Sequence, residues 1–338
     1  QRRSKDEKFK WAYLSKLLLF FLRSTLWIAS SHLRRPYDLV HAHNIPDFEV
    51  FAAIVPKLAG SKVILDIHDI VPELFCSKFA NSTRSLWFRI LRLLEKWSAS
   101  FADHVIISND LWGDRITERS VGRDKCTVLI NYPDPSLFHR RYACPDGTRD
   151  FILYPGSLNH HQGLDIAIGA FSRILDRVPE VDFHIYGDGP ALGELIELAA
   201  ELGIAERVKF LGSKPIQQIA EIMACARCGV VPKRANLFGN EAFSTKVLEF
   251  MALGVPIVLS ATAIDRHYFK DSQVLFFESG NEESLAEKLL LALTNEKIRR
   301  EIVDTSLEFV GRNNWGCKKE IYFSVVESLM REGKQRVE

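Results

Sequence analysis

Residues 151–190 read FILYPGSLNHHQGLDIAIGAFSRILDRVPEVDFHIYGDGP. A short apolar run, FILYPG (151–156), ends in glycine. A helical pattern follows from about 164 to 176, and a second apolar run, VDFHIYG (181–187), ends in glycine again. Strand, turn, helix and strand in that order build a parallel sheet with helices on its faces. The pattern extends in both directions. Downstream, VKFLG (208–212), CGVVP (228–232), PIVLS (256–260) and VLFF (274–277) read as strands. Helices are expected between them over 191–202, 215–224, about 245–253 and about 283–294. Upstream, DLVHAH (38–43), SKVILDIH (61–68), HVIIS (104–108) and CTVLI (126–130) read as strands, with helices over DFEVFAAIVPKL and STRSLWFRILRLLEKWSASF. The expected fold is α/β, with two doubly wound Rossmann-like domains.

The stretch HRRYACPDGTRD (139–150) has no periodicity and carries Pro and Gly, so the boundary is expected there. This divides the chain into a first domain over 1–140, a linker over 141–150, a second domain over 151–318, and a terminal helix over 319–338 that returns to the first domain. A length of 338 residues with 47% hydrophobic content suits two such domains. A net charge of +1 gives no global field for nucleic acid, and no nucleic-acid partner is expected. The six cysteines form no disulfide framework, which suits a reducing, cytoplasmic setting. Cys225 and Cys228 form a lone CxxC, without the second pair or the nearby histidine a metal site needs, so plain packing is expected of them. LLLFFL (17–22), flanked by Lys16 and Arg23, is far short of the ~20 residues of a spanning helix. Its helix, with Trp11, Trp27 and three phenylalanines, either covers a sheet or lies on a membrane face.

Ligands of open parallel sheets sit outside the carboxyl ends of the strands. The residues there are His43, His68, Asp69, Ser108 and Asn131 in the first half, and Gly156, Gly187, Gly212, Lys233 and Arg234 in the second. The stretch GNEAFSTKVLEFMALGVP (239–256) adds a helix start. Ser244 or Thr245 suits the N-cap and Gly254 the C′ position. The positive end of such a helix suits phosphate, and Lys246 adds a point charge in the first turn. Glu249, one turn in, can accept two hydrogen bonds from a vicinal diol such as ribose, while Glu241 lies in the preceding loop. Lys233 and Arg234 can clamp a diphosphate leaving group. On spacing alone, a solvated acid and a charge complementing the helix dipole explain the glutamates equally, whereas the combination with Lys246 favours the clamp over a surface basic pair.

YGDGPALG (186–193) is one residue off a dinucleotide fingerprint, and no acid follows the next strand. It reads as a tight turn that lets a nucleotide approach the backbone. His68 either binds a sugar hydroxyl or is structural. His41 and His43 share one side of a strand with no convergent acid beside them, so no metal site is expected.

The spacing of Glu241 and Glu249, followed by FMALGVPIVLS, resembles the retaining family-4 glycosyltransferases of GT-B fold. So do YPGSLNHHQGLDIAIGAF (154–171), FHIYGDGP (183–190), VKFLG (208–212), DIHD (66–69), NYPD (131–134) and the helix after Trp315. The resemblance covers roughly residues 37–330 and rests on the order and spacing of these motifs together. It implies two Rossmann-like domains facing a central cleft. It implies transfer of a sugar from a UDP- or GDP-sugar to a hydroxyl acceptor, with retained anomeric configuration and no obligatory metal. The acceptor would be a glycan or a lipid-linked sugar, met in the cytoplasm or at the inner face of a membrane by peripheral association. Glu249 would hold the ribose. Glu241, with the backbone from Phe243 through Ser244 to Thr245, would hold the donor sugar and phosphates, and His68 would lie near the sugar hydroxyls. Many relatives place an arginine and a lysine after the first strand of the second domain; here that loop carries neutral Asn159 and Gln162. Lys233, Arg234 and Lys246 are expected to compensate. Relatives also begin with a strand and a glycine-rich loop that have no counterpart before YDLVHAH, so the first domain is expected to be incomplete, with fewer strands than the second. A sugar-nucleotide epimerase of the same fold and a catalytically inactive nucleotide-sugar-binding partner subunit are the alternative readings.

Overall fold

The computed structural model describes residues 10–79, 82–140 and 150–335. The chain divides into two compact units, one of residues up to Ile130 together with those from Glu320 on, the other Asn131–Lys319. Gln1 and residues 141–149, most of the expected linker, lie outside the described residues, as does the side chain of Trp11.

The first unit holds α1 (Lys10–Arg34), β1 (Leu39–His43), α2 (Ile54–Leu58), β2 (Lys62–Ile67), α3 (Val71–Phe79), α4 (Leu86–Phe101), β3 (His104–Ile107), α5 (Asp110–Arg119) and β4 (Cys126–Val128). Its four strands run parallel in the order β1-β2-β3-β4. The register sets His43 opposite Asp66 and His41 opposite Ile64. Val63, Ile64, Leu65 and Ile67 are buried, as expected of a strand covered on both faces. The stretch DFEVFAAIVPKL is not one helix. It forms a 3-10 segment, Asp47–Ala53, before α2. Pro56 falls in the first turn of α2, where its missing N–H is tolerated. Helix α1 packs mainly on that 3-10 segment and on α2, and the 3-10 segment packs in turn on β1 and β2.

The second unit holds β5 (Phe151–Pro155), α6 (Leu164–Ser172), β6 (Asp182–Tyr186), α7 (Leu192–Glu201), β7 (Val208–Phe210), α8 (Ile216–Ala224), β8 (Cys228–Val231), α9 (Thr245–Leu253), β9 (Ile257–Ser260), α10 (Ala263–Tyr268), β10 (Leu275–Phe277), α11 (Glu282–Thr294) and α12 (Glu296–Arg312). Its six strands are parallel in the order β10-β9-β8-β5-β6-β7. Side chains alternate along β5: Ile152 and Tyr154 join a core with α6, α7 and α11, while Leu153 joins a core with α8 and α9. Both faces of the sheet are therefore covered, the doubly wound arrangement. Helix α13 (Trp315–Gln335) follows α12, and its later residues Tyr322, Val325, Val326 and Leu329 pack on Ile64 and Ile106 of the first unit's sheet.

Candidate functional site

In the second unit the strand order reverses between β5 and β8, which pair through Ile152 and Leu153 against Cys228 and Gly229. The crevice outside their carboxyl ends is where such a sheet binds ligands. The glycines there are required by close approach. A Cβ on Gly187, at φ +151°, would stand 1.8 Å from the Gly156 carbonyl oxygen. One on Gly163, at φ +68°, would stand 2.1 Å from the Pro232 carbonyl oxygen. Gly187 N–H donates to Gly212 carbonyl at 3.0 Å, and Gly156 N–H to Tyr186 carbonyl at 2.8 Å. The chain ends after β5, β6 and β7 thus lie backbone against backbone.

Helix α9 starts at this edge. Ser244 is its N-cap residue, yet the hydroxyl makes no capping bond. Ser244 Oγ is buried and has no hydrogen-bond partner among the described residues. The amides entering the first turn have no intrahelical acceptor of the usual kind. Lys246 reaches back to β5: a Cβ on Gly156 would lie 2.3 Å from its Cε and 2.9 Å from its Nζ. Its ammonium stands 5.4 Å from the Tyr154 ring centre. Burial holds the Lys246 pKa below the usual lysine value, with Glu249 opposing the shift and Lys233 adding to it. Burial raises the Glu249 pKa, against Lys246 and a hydrogen bond from Thr245. Glu241 is half-buried in the turn before α9, where its N–H donates to Phe238 carbonyl at 3.1 Å. Phe243 packs edge-on to Tyr268, with ring centres 5.1 Å apart.

Lys233 and Arg234 are engaged differently from the sequence expectation. Lys233 is 4% exposed; its Nζ stands 2.8 Å from Asp265 Oδ2 and donates to the Ala242 carbonyl at 2.6 Å. Thr262, which caps α10, donates to the same carboxylate. Lys233 therefore pins the 234–244 loop to the start of α10 instead of presenting a free cation. Arg234 pairs with Asp165 and donates to the His160 carbonyl at 3.3 Å, which fastens the loop after β5. Lys246 remains the cation at the mouth, and His161 joins it: burial and Lys246 both lower the His161 pKa. Nothing in the spacing of GSLNHHQG singled out His161; only the closeness of the β5 and β8 loops reveals it.

In the first unit, His68 does not stand alone. Its Nε2 is 2.9 Å from His43 Nδ1 and 3.5 Å from Asp66 Oδ2. His43 Nδ1 and His41 Nε2 lie 3.2 and 3.3 Å from the same oxygen. The convergent acid judged absent from the sequence is Asp66, supplied by the neighbouring strand. It lies two residues before His68, and the parallel register sets it opposite His43. Burial raises the adjacent Asp69 to a pKa of about 6, with His68 opposing.

Residues 139–308, half the chain, match the family of glycosyl transferases group 1, and residues 8–131 match a glycosyl transferase 4-like domain. The chain is a group 1 glycosyl transferase. A similar curated protein is phosphatidyl-myo-inositol mannosyltransferase of Mycobacterium leprae, 22% identical over 306 residues, covering 88% of this chain and 75% of that one. Another is GDP-mannose:cellobiosyl-diphosphopolyprenol alpha-mannosyltransferase of Xanthomonas oryzae, 25% identical over 285 residues, covering 83% of this chain and 71% of that one. Among solved structures, Anabaena HepE in complex with UDP matches with a TM-score of 0.71 at 18% identity, over 90% of this chain and 82% of that one. The transferase thus has two Rossmann-like, parallel-sheet α/β domains with GT-B neighbours, and it is an enzyme of the hexosyltransferase type.

Proposed function

We propose that this transferase moves a hexose-like sugar from a UDP- or GDP-sugar to a hydroxyl of a glycan or lipid-linked acceptor, retaining the anomeric configuration. The observation that carries the reading is the mouth of α9, where a buried, unpartnered Ser244 hydroxyl, first-turn amides and the Lys246 ammonium meet at the reversal of strand order. That combination suits a diphosphate. Glycines 156, 187 and 212 let the nucleotide lie against bare backbone. Glu249 accepts from the ribose diol. Glu241 and the Phe243–Thr245 backbone hold the donor sugar and phosphates. Lys246 offsets charge developing on the departing diphosphate. Lys233 and Arg234 act through the loops they fasten. The acceptor oxygen bonds to the anomeric carbon on the face from which the diphosphate leaves. The bond from carbon to phosphate oxygen breaks, and the acceptor proton passes to that diphosphate. This step needs no metal.

The UDP bound to HepE and the GDP-mannose in the Xanthomonas enzyme's name support a nucleoside diphosphate sugar without choosing the base. That enzyme's diphosphopolyprenol acceptor supports a lipid-linked one. Among the described residues no helix is long and apolar enough to cross a membrane. Helix α4, however, exposes Leu86, Trp87, Ile90, Leu93 and Trp97, with Arg89, Arg92 and Lys96 exposed beside them. At about 100° per residue, Leu86, Ile90, Leu93 and Trp97 form one stripe flanked by the three cations, the layout of a helix lying in an anionic lipid surface. We place the reaction in the cytoplasm, at that surface. Among the described residues Cys76, Cys126, Cys225, Cys228 and Cys317 form no disulfide, which suits that compartment.

A thermal-shift screen of UDP- and GDP-sugars identifies the donor, because bound ligand raises apparent stability. Turnover is then read as acceptor-dependent release of nucleoside diphosphate. A donor that binds but yields no product with any glycan or lipid-linked acceptor defeats the transfer reading.

A further inference from the structure

We propose that His41, His43 and Asp66 form a zinc-binding site at the carboxyl ends of β1 and β2, with water as the fourth ligand. The ligand atoms of His41, His43 and Asp66 all lie within 4.8 Å of one another. Their spacing separates metal ligation from simple ion pairing. A charge-assisted N–H to carboxylate hydrogen bond is about 2.7–2.9 Å long. Here His43 Nδ1 and His41 Nε2 stand at 3.2 and 3.3 Å from one carboxylate oxygen. Tetrahedral zinc with bonds of about 2.0–2.1 Å sets its ligand atoms about 3.3–3.4 Å apart. Two imidazoles and one carboxylate are also a mixed nitrogen and oxygen set that zinc accepts with a water in the fourth position.

One further feature fits. His41 offers Nε2 to the cluster while its Nδ1 lies 3.1 Å from the Tyr322 hydroxyl of α13. A ligand histidine is normally held by such a bond on its other nitrogen. The rings of His41 and His43 are stacked with centres 4.5 Å apart, and those of His43 and His68 with centres 5.2 Å apart. Loading therefore turns the rings about χ2 until their lone pairs meet, and His43, whose side chain is 58% exposed, has room to turn. The site stands independently of the sugar-transfer reading. Zinc there ties two strand ends together and, through Tyr322, fixes the docking of α13.

The test is zinc titration of the full chain against a competing chelator, with cobalt substitution read by visible absorption. The expected result is one zinc per chain and cobalt d–d bands of a four-coordinate nitrogen and oxygen site. Asp66→Asn and His43→Ala should each weaken binding at least tenfold, and Tyr322→Phe about tenfold. Cys225→Ser/Cys228→Ser should bind as wild type. His43 is exposed, so His43→Ala keeps the fold. Absence of stoichiometric zinc and cobalt bands from the wild-type chain overturns the proposal, as does wild-type affinity in His43→Ala.

Discussion

At Lys233 the usual reading of a basic pair after a strand fails. VVPKR looks like a strand running out to a solvated surface, and its partner Asp265 lies too far along the chain to be anticipated. Burial disfavours both charges, lowering the Lys233 pKa and raising that of Asp265, and their mutual attraction opposes each shift. Removing one partner leaves the other uncompensated, so Lys233→Ala should destabilise the second unit by about 3–5 kcal/mol in urea unfolding. Lys233→Met with Asp265→Leu should recover most of that loss. If Lys233→Ala unfolds like the wild type, the buried pair is not the role of this lysine. Lys246 carries a different expectation. Its ammonium is the form that attracts diphosphate, and burial makes it lose its proton at lower pH than an ordinary lysine. Nucleoside diphosphate affinity should therefore fall as pH climbs toward the lysine range, and Lys246→Arg should move that fall to higher pH. A pH-independent Kd in the wild type would remove Lys246 from the phosphate site.

The strands were the most legible elements. All ten observed strands coincide with the expected runs to within two residues, because strands buried on both faces are short apolar runs bounded by glycine, proline or polar turns. Helix α12 was missed. Its sequence, EKIRREIVDTSLEFVGR, carries many charges, and its buried face is only Ile302, Val303, Ser306 and Val310. The cap was readable, since Asn295 Oδ1 accepts from Ile298 N–H at 3.0 Å. The reading of α1 as covering a sheet or lying on a membrane face did not include the 3-10 layer on which it packs. At the reversal of strand order, Gly187→Ala should displace the loop after β5. Its added Cβ meets backbone at 1.8 Å and its φ of +151° is costly for alanine, so a loss of about 1–3 kcal/mol and of nucleotide binding is expected in calorimetry. Unchanged binding by that variant would mean the glycine turns do not shape the site.

Among the described residues the chain forms two sheets, of four and six strands, with separate cores. Alternation of strand and helix made the two-domain α/β plan legible, whereas the His43–Asp66 pairing needed the register. Because Leu329 is 5% exposed and packs on Ile64 and Ile106, Leu329→Ala should cost the first unit about 2–5 kcal/mol. The same substitution should leave nucleotide affinity unchanged; a weakened affinity would tie α13 to the second unit's site. The central claim is that a nucleoside diphosphate seats its phosphates at the mouth of α9. The most direct measurement is the Kd of UDP and GDP for the wild type and for Lys246→Met by titration calorimetry, with α9 folding checked by unfolding. The account predicts at least tenfold weaker binding in Lys246→Met at unchanged stability; equal affinity in the two proteins would contradict it.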